Sequence, residues 1–268
     1  MITIIPEGGL CNRMRVVASA WLLASASGQP MKVLWYRTPD FNSRFDAIFS
    51  TNELPFEVLE AGAMSRVARA LFRVRQLLAW SSGAYVPSKR DILEPALILE
   101  PELLKLNGRD CLIRTNSKLA SEKDMFSIFV PVGEASTRVR QLTIQTTDCV
   151  GVHVRRTDNL QARNVSTTDS FLTLMQAEIN IDSKVRFFLA TDDAEVSNLF
   201  KLKFGDRVWE YPKRAYSRKD SKAIVDAVVD LYALGNCRKI IGSYWSSFTD
   251  TAVELNGVEC IIAGALYV

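Results

Sequence analysis

The sequence predicts an α/β protein made of two halves, each a parallel sheet covered by helices, with the two sheets facing a central cleft. Three observations predict it. The chain opens with a strand–helix–strand pattern. After Pro131, short apolar runs alternate regularly with helical patterns. The composition, 48% hydrophobic and 24% charged, is that of a packed globular chain. At roughly 150 residues per domain, 268 residues suit one large domain or two small ones.

The elements follow in order. Residues 2–5 (ITII) are a β-branched run that reads as a strand. After Glu7-Gly8-Gly9-Leu10-Cys11-Asn12, the apolar Met14, Val17, Ala18, Trp21 and Leu22 fall on one helical face. Asn12 suits the N-cap of that helix and Gly28 its stop. Residues 31–36 (MKVLWY) form a second strand, which makes the opening a βαβ unit. Arg13 and Arg15 followed by an apolar stretch over 16–26 resemble a secretory signal, but the periodicity is that of a crossover helix, and we read it so. Between 40 and 132, Pro39, Pro55, Pro87, Pro95 and Pro101 punctuate short apolar segments. One helix is expected over 64–80, with Arg66, Arg69, Arg73 and Arg75 on a solvated face.

From Pro131 onward the pattern is regular. Helices are expected over 134–144, 170–179, 194–204, 221–234 and 247–255. Strands are expected over 149–154, 185–190, 207–211, 239–242 and 259–263. A hinge near 133–148 divides the chain into an N-terminal α/β domain, 1–140, and a C-terminal domain, 141–268.

Composition narrows the chemistry. With 33 Lys plus Arg against 30 Asp plus Glu, the net charge of +3 offers little attraction for nucleic acid or anionic membrane. No apolar run reaches the ~20 residues that cross a bilayer, so no integral membrane segment is expected. The five cysteines are widely spaced, without CxxC, and read as thiols in a reducing compartment. His153 is the one histidine, which excludes a multi-histidine metal site. Asn164-Val165-Ser166 matches a glycosylation sequon and reads as chance in a chain taken to be cytoplasmic and bacterial.

In open parallel sheets ligands bind at the carboxyl ends of strands, so the residues just after each strand carry the argument. Gly8, Gly9, Asn12 and Arg13 follow the first strand. Glycines there let backbone approach a ligand, and a helix N-terminus follows; a tight structural turn would look the same. After the strand over 149–154 stands His153-Val154-Arg155-Arg156-Thr157-Asp158-Asn159. Strand alternation puts His153 and Arg155 on one face and Arg156 on the other. A diphosphate suits two guanidiniums in charge and geometry, and an Arg–Asp158 pair closing a turn is the alternative. Asp192 and Asp193 follow the next strand; one of them should cap a helix, and their adjacency argues against a metal site. Ser246, Ser247 and Phe248 open a helix whose hydroxyls and N–H groups form an anion-binding end, or else an ordinary cap with Asp250 in its first turn. Asp226 and Asp230, one turn apart on an apolar helix, each need a partner.

At these residues the chain resembles the fucosyltransferase superfamily, the GT-B enzymes that include α-1,2- and α-1,6-fucosyltransferases and protein O-fucosyltransferases. GGLCNRMR is similar to the family's GGLGNQ loop, HVRRTD matches its HxRRxD, and GSYWSSFTDTA is similar to its serine-rich C-terminal motif. Cys11 and Arg13 stand where the family's loop has Gly and Gln. The resemblance implies two Rossmann-like halves, 1–140 on the acceptor side and 141–268 on the donor side. It also implies an inverting, metal-independent transfer of fucose from GDP-fucose to a glycan hydroxyl, with no cofactor. By the same resemblance, Arg155 would hold the β-phosphate with Arg156 in support. His153 and Asp230 would face guanosine, Asp158, Asp192, Asp193 and Phe248 would line the donor site, and Ser246 and Ser247 would touch phosphate. Gly8, Gly9, Asn12 and Arg13 would form an N-terminal loop at the cleft. On position, Glu7 and Asp40 are the candidates for general base. Two other readings stay open: a transferase using another nucleotide sugar, and a noncatalytic nucleotide- or glycan-binding protein on the same fold.

Overall fold

The computed structural model describes residues 1–39, 41–63, 110–157, 160–215 and 220–265. The chain divides into two compact units, Met1–Val132 with Arg218–Ile224, and Gly133–Ser217 with Val225–Val268.

In the first unit, β1 (Ile2–Pro6), β2 (Met31–Arg37), β3 (Glu57–Ala63) and β4 (Cys111–Thr115) pair in parallel in the order β3-β2-β1-β4. Helix α1 (Leu10–Ala26) joins β1 to β2, the βαβ unit that the sequence predicts. Its start differs from expectation. Gly9 occupies the N-cap and Asn12 lies inside the helix, because Leu10 and Cys11 are already buried and belong to the apolar face. At the other end the Ser27, Gly28 and Gln29 N–H groups bond back to Leu23, Ser25 and Ala24, satisfying the last carbonyls. Val16, Val17, Ala20 and Ala24 are fully buried, so the signal-like stretch is core.

Alternation on β2 buries Met31, Val33 and Trp35. Trp35 meets Phe41 and Phe45 edge to face at 5.5 and 5.2 Å, and its Nε1 donates to the Ser43 carbonyl at 3.0 Å. Phe49, Phe126 and Phe129 extend this aromatic core. Strands β3 and β4 lie in the proline-punctuated stretch over 40–132, where no strand is expected: Glu57 and Glu60 interrupt the first, and the second has only 5 residues. The helix expected over 64–80 and Asp40 lie outside the described residues.

The second unit contains α2 (Gly133–Thr146), β5 (Val150–Val154), α3 (Leu160–Val165), α4 (Thr168–Ile181), β6 (Phe187–Thr191) and α5 (Ala194–Phe204). There follow β7 (Val208–Trp209), α6 (Ser221–Gly235, which begins in the first unit), β8 (Lys239–Gly242), α7 (Ser247–Asn256) and β9 (Glu259–Ile262). All five strands are parallel, in the order β7-β6-β5-β8-β9. Each element expected after Pro131 is present within about two residues; α3 was not anticipated. Both β5 and β6 are buried along their whole length, as a sheet covered on two faces requires. Val150, Val152, Leu189 and Ile241 pack with Phe171, Met175 and Phe200.

Among the described residues no helix is long and apolar enough to cross a membrane. The five thiols are free, and burial pushes Cys111 up to about 12 and Cys260 to about 11, so neither is a thiolate at neutral pH.

Gly264, just after β9, has φ +77° and a would-be Cβ only 1.9 Å from the Val165 carbonyl oxygen. The Cβ of a residue at Gly151 would instead meet the Leu234 and Cys237 side chains, at 2.9 and 3.1 Å. Gly264→Ala should therefore destabilise the protein by about 3 kcal/mol and Gly151→Ala by about 1 kcal/mol, because side chains yield where backbone does not. Urea denaturation of both variants checks the ranking.

Candidate functional site

The strand order of the second unit reverses between β5 and β8, and such a switch point opens a crevice beyond the carboxyl ends of both strands. The residues that leave the two strands there are tied together. Ser243, immediately after β8, donates its hydroxyl to the His153 carbonyl at 3.0 Å and accepts from the Arg155 N–H at 2.9 Å. Its own N–H donates to Thr249 Oγ1 at 3.2 Å, and that oxygen shares a 2.7 Å hydrogen bond with His153 Nδ1. Phe248 stacks on the imidazole at 4.7 Å, so two of the sequence candidates are in contact. His153 is buried; burial, then the neighbouring Arg155 charge, pushes its pKa down to about 3. The ring is neutral at physiological pH.

The two arginines separate, because strand geometry ends at Val154. Arg155 Nη1 pairs with Asp192 at 2.7 Å, both side chains mostly buried. Asp192 also accepts from the Arg156 N–H at 2.8 Å and the Thr157 hydroxyl at 2.6 Å. Burial alone would raise the Asp192 carboxyl, but Arg155 and these donors hold it below the usual range. Arg156 is turned inward, donating to the Arg155 and Ser166 carbonyls at 3.1 and 2.9 Å and lying over Phe171. Arg155 pairs with Asp192; Asp158, the partner that the alternative reading gives it, lies outside the described residues. Asp193 caps α5, accepting from the Glu195 and Val196 N–H groups at 2.8 and 3.4 Å.

Both α6 carboxylates meet a cation, but only Asp226 has both oxygens hydrogen-bonded. Asp226 accepts from the Arg214 backbone N–H at 2.8 Å and its guanidinium at 2.6 and 3.0 Å. Asp230 Oδ2 pairs with the buried Lys213 ammonium at 3.1 Å, while Oδ1 is buried with no hydrogen-bond partner among the described residues. Burial, opposed by Lys213, raises the Asp230 carboxyl to about 6. Lys213 also donates to the Thr191 carbonyl at the end of β6. Sequence reasoning missed Lys213 and Arg214, and it quoted Ser243 and Thr249 within the motif after β8 without giving them a role of their own. The first two follow β7, so the strand-end rule would have found them had it been applied to that short strand.

Ser246 occupies the N-cap of α7 without a side-chain cap bond, and Ser247 is the first helical residue. The Ser246 hydroxyl therefore does not cap the helix, as an ordinary N-cap serine would.

In the first unit, Gly8 has φ +80°, and a Cβ there would lie 2.7 Å from Asn12 Nδ2. Arg13 is 1% exposed; it donates to the Gly8 and Tyr36 carbonyls at 2.9 and 2.8 Å and lies between Trp35 and Phe41. It ties the loop of Gly8 and Gly9 to the end of β2. Glu7 accepts from Arg114 Nε at 2.7 Å.

Together, two parallel α/β units, the second with a nucleotide-type switch point, define the GT-B class of fold. Among solved structures the chain is similar to NodZ, a fucosyltransferase known from Bradyrhizobium. The NodZ α-1,6-fucosyltransferase soaked with GDP-fucose superposes with a TM-score of 0.59 at 20% identity, covering 95% of this chain and 92% of that one. A mutant of Arabidopsis thaliana FUT1 in complex with GDP gives 0.59 at 14% identity, covering 97% and 69%. POFUT1 in complex with GDP gives 0.60 at 10% identity, covering 98% of each chain. No family model matches the sequence, and no curated protein matches it. At such identities the likeness establishes the fold.

Because the carboxyl of Asp230 is raised from 3.8 to about 6, its stabilising contribution is full below about pH 4 and is lost as pH rises through 6. Relative to Asp230→Asn, the wild type should lose about 2 kcal/mol between pH 4 and pH 7. The depressed His153 works in the opposite sense, its contribution present above about 6.5 and lost as pH falls toward 3. It is common to both proteins and cancels in the difference. Denaturant titrations at pH 4, 5, 6 and 7 measure it.

Proposed function

We propose that the chain is an inverting glycosyltransferase that moves fucose from GDP-fucose to a hydroxyl of a glycan, without a metal ion. One observation carries the reading: the Asp230 carboxylate has one oxygen held by Lys213 and the other buried without a partner. A buried acceptor of that kind is costly unless a ligand supplies the donor. Guanine offers an N1–H and an N2–H₂ side by side; adenine and uracil do not, so the same group would select GDP. The neutral His153 ring, stacked on Phe248, would form the adjoining wall.

The remaining residues fit a diphosphate leaving group. Arg155, held by Asp192, would neutralise charge growing on the β-phosphate, and the first N–H groups of α7 with the Ser246 and Ser247 hydroxyls would bind its oxygens. The acceptor oxygen attacks the anomeric carbon opposite the phosphate, and the carbon–oxygen bond to GDP breaks with its electron pair leaving on the phosphate. The acceptor proton passes to a base, for which Glu7 and Asp40 are the candidates, and the first unit would carry the acceptor. One displacement inverts the anomeric centre. The similarity to fucosyltransferase structures with GDP or GDP-fucose bound supports the donor class.

The Arg155–Asp192 ion pair favours one other reading, a noncatalytic module in which that pair only closes the fold. Thermal shift against GDP, UDP, ADP and CMP, with and without EDTA, separates the two. At 100 times Kd, GDP should stabilise by about 2.7 kcal/mol, several degrees, whether or not EDTA is present. Arg155→Ala should abolish transfer from GDP-fucose and most of the GDP shift in a folded protein; lower stability with an unchanged GDP shift would sink the catalytic assignment. Guanine donates to the ionised carboxylate, so GDP affinity should rise with pH through about 6 and be roughly tenfold weaker at pH 5 than at pH 7. A flat profile in calorimetry would remove Asp230 from the site.

A further inference from the structure

The loop from β8 to α7 carries two aromatic residues that the nucleotide reading leaves without a task. Trp245 is 64% exposed and Tyr244 37%, with ring centroids 6.2 Å apart. Other strongly exposed apolar side chains, Ile144, Ile181 and Leu202, lie on helices α2, α4 and α5. The aromatic pair lies at the switch point, at the carboxyl end of the sheet.

Trp245 also has φ +50°, a left-handed conformation that large side chains rarely adopt. Such a residue persists where its surroundings over-determine it. Here the Tyr244 N–H donates to the buried Ser166 hydroxyl at 2.8 Å, and Ser166 in turn donates to the Ala263 carbonyl at 2.7 Å. On one side Ser243 is bonded to His153 and Arg155, and on the other the Asp250 N–H closes the first turn of α7 onto Ser246 at 3.0 Å. The loop is pinned at both ends and displays a wide ring in its middle. A ring held this way loses little conformational entropy on meeting a ligand.

We infer that Trp245, with Tyr244 beside it, is a stacking platform for the sugar ring of the donor, a 6-deoxyhexose. The inference rests on the reading of the site as one for a nucleotide diphosphate sugar. In the chain, Trp245 directly precedes the serine pair assigned to the phosphates, and the sugar is the group joined to the terminal phosphate. A sugar with a methyl group in place of the 6-hydroxyl has an enlarged apolar face, and an indole covers such a face while leaving the ring hydroxyls to polar partners.

The test is a calorimetric titration of the full chain with GDP and with GDP-fucose, using wild type, Trp245→Ala, Trp245→Phe and Trp245→Gly. Loss of the ring should weaken GDP-fucose about tenfold in the Ala and Gly variants, less in the Phe variant, and leave GDP within about twofold. Glycine relieves the left-handed backbone, so Trp245→Gly should melt at or above the wild-type temperature. That variant separates loss of the ring from collapse of the loop. Equal weakening of GDP and GDP-fucose would overturn the platform, since the loop would then serve only the phosphates. Unchanged GDP-fucose binding with slower transfer would also overturn it, by moving the ring to the acceptor. If wild type binds GDP but gains nothing from the fucose, the platform fails while the nucleotide reading stands. If GDP itself does not bind, both fail.

Discussion

The second unit depends on a set of hydrogen bonds that ties together the residues leaving β5 and β8. Ser243 serves the His153 carbonyl and the Arg155 N–H at once, and Thr249 joins the Ser243 N–H to the imidazole. Past the last pair of the ladder, Val152 with Ile241, the backbone groups of the two strands would otherwise be buried without partners. Short hydroxyl side chains take over where the ladder stops. The same bonds fix the imidazole, and the first residues of α7 with it, before any ligand arrives.

Around those bonds the charged residues divide their work. Of two arginines, Arg156 is spent on carbonyls while Arg155 stays at the strand end with Asp192. Of two adjacent aspartates, Asp193 caps a helix and Asp192 orients an arginine. Of two carboxylates on α6, Asp226 is saturated by Arg214, whereas Asp230 retains an unbonded oxygen. In the first two pairs one member serves backbone groups and the other joins the Arg155–Asp192 ion pair; on α6 both carboxylates meet a cation, and Asp230 alone of the two keeps an oxygen without a hydrogen bond among the described residues. Desolvation explains the pattern: a buried charge persists only with partners, so a site needing one poised charge surrounds it with others that hold it in place.

The first unit shows the same economy in one residue. Arg13 is a buried cation whose donors meet backbone carbonyls and whose face meets two aromatic rings. It braces the glycine turn against the end of β2.

Periodicity made most of the fold legible: βαβ at the start, and from Pro131 a strand–helix alternation that the structure reproduces almost residue for residue. Local chemistry was enough there, because the helices recur with a helical period and the central strands are mostly apolar up to their carboxyl ends. It failed at β3, where glutamates break the pattern, and at Asn12, whose capping chemistry lost to the burial of Leu10 and Cys11. The strand-end rule drew attention to His153, Arg155 and the serine pair. The partners came only from the tertiary structure. Asp192 meets Arg155 across 37 positions of sequence, and Lys213 meets Asp230 across 17. Which of two neighbouring like charges is braced and which is poised depends on what lies opposite. That is a long-range property of packing, which the local order of residues does not encode.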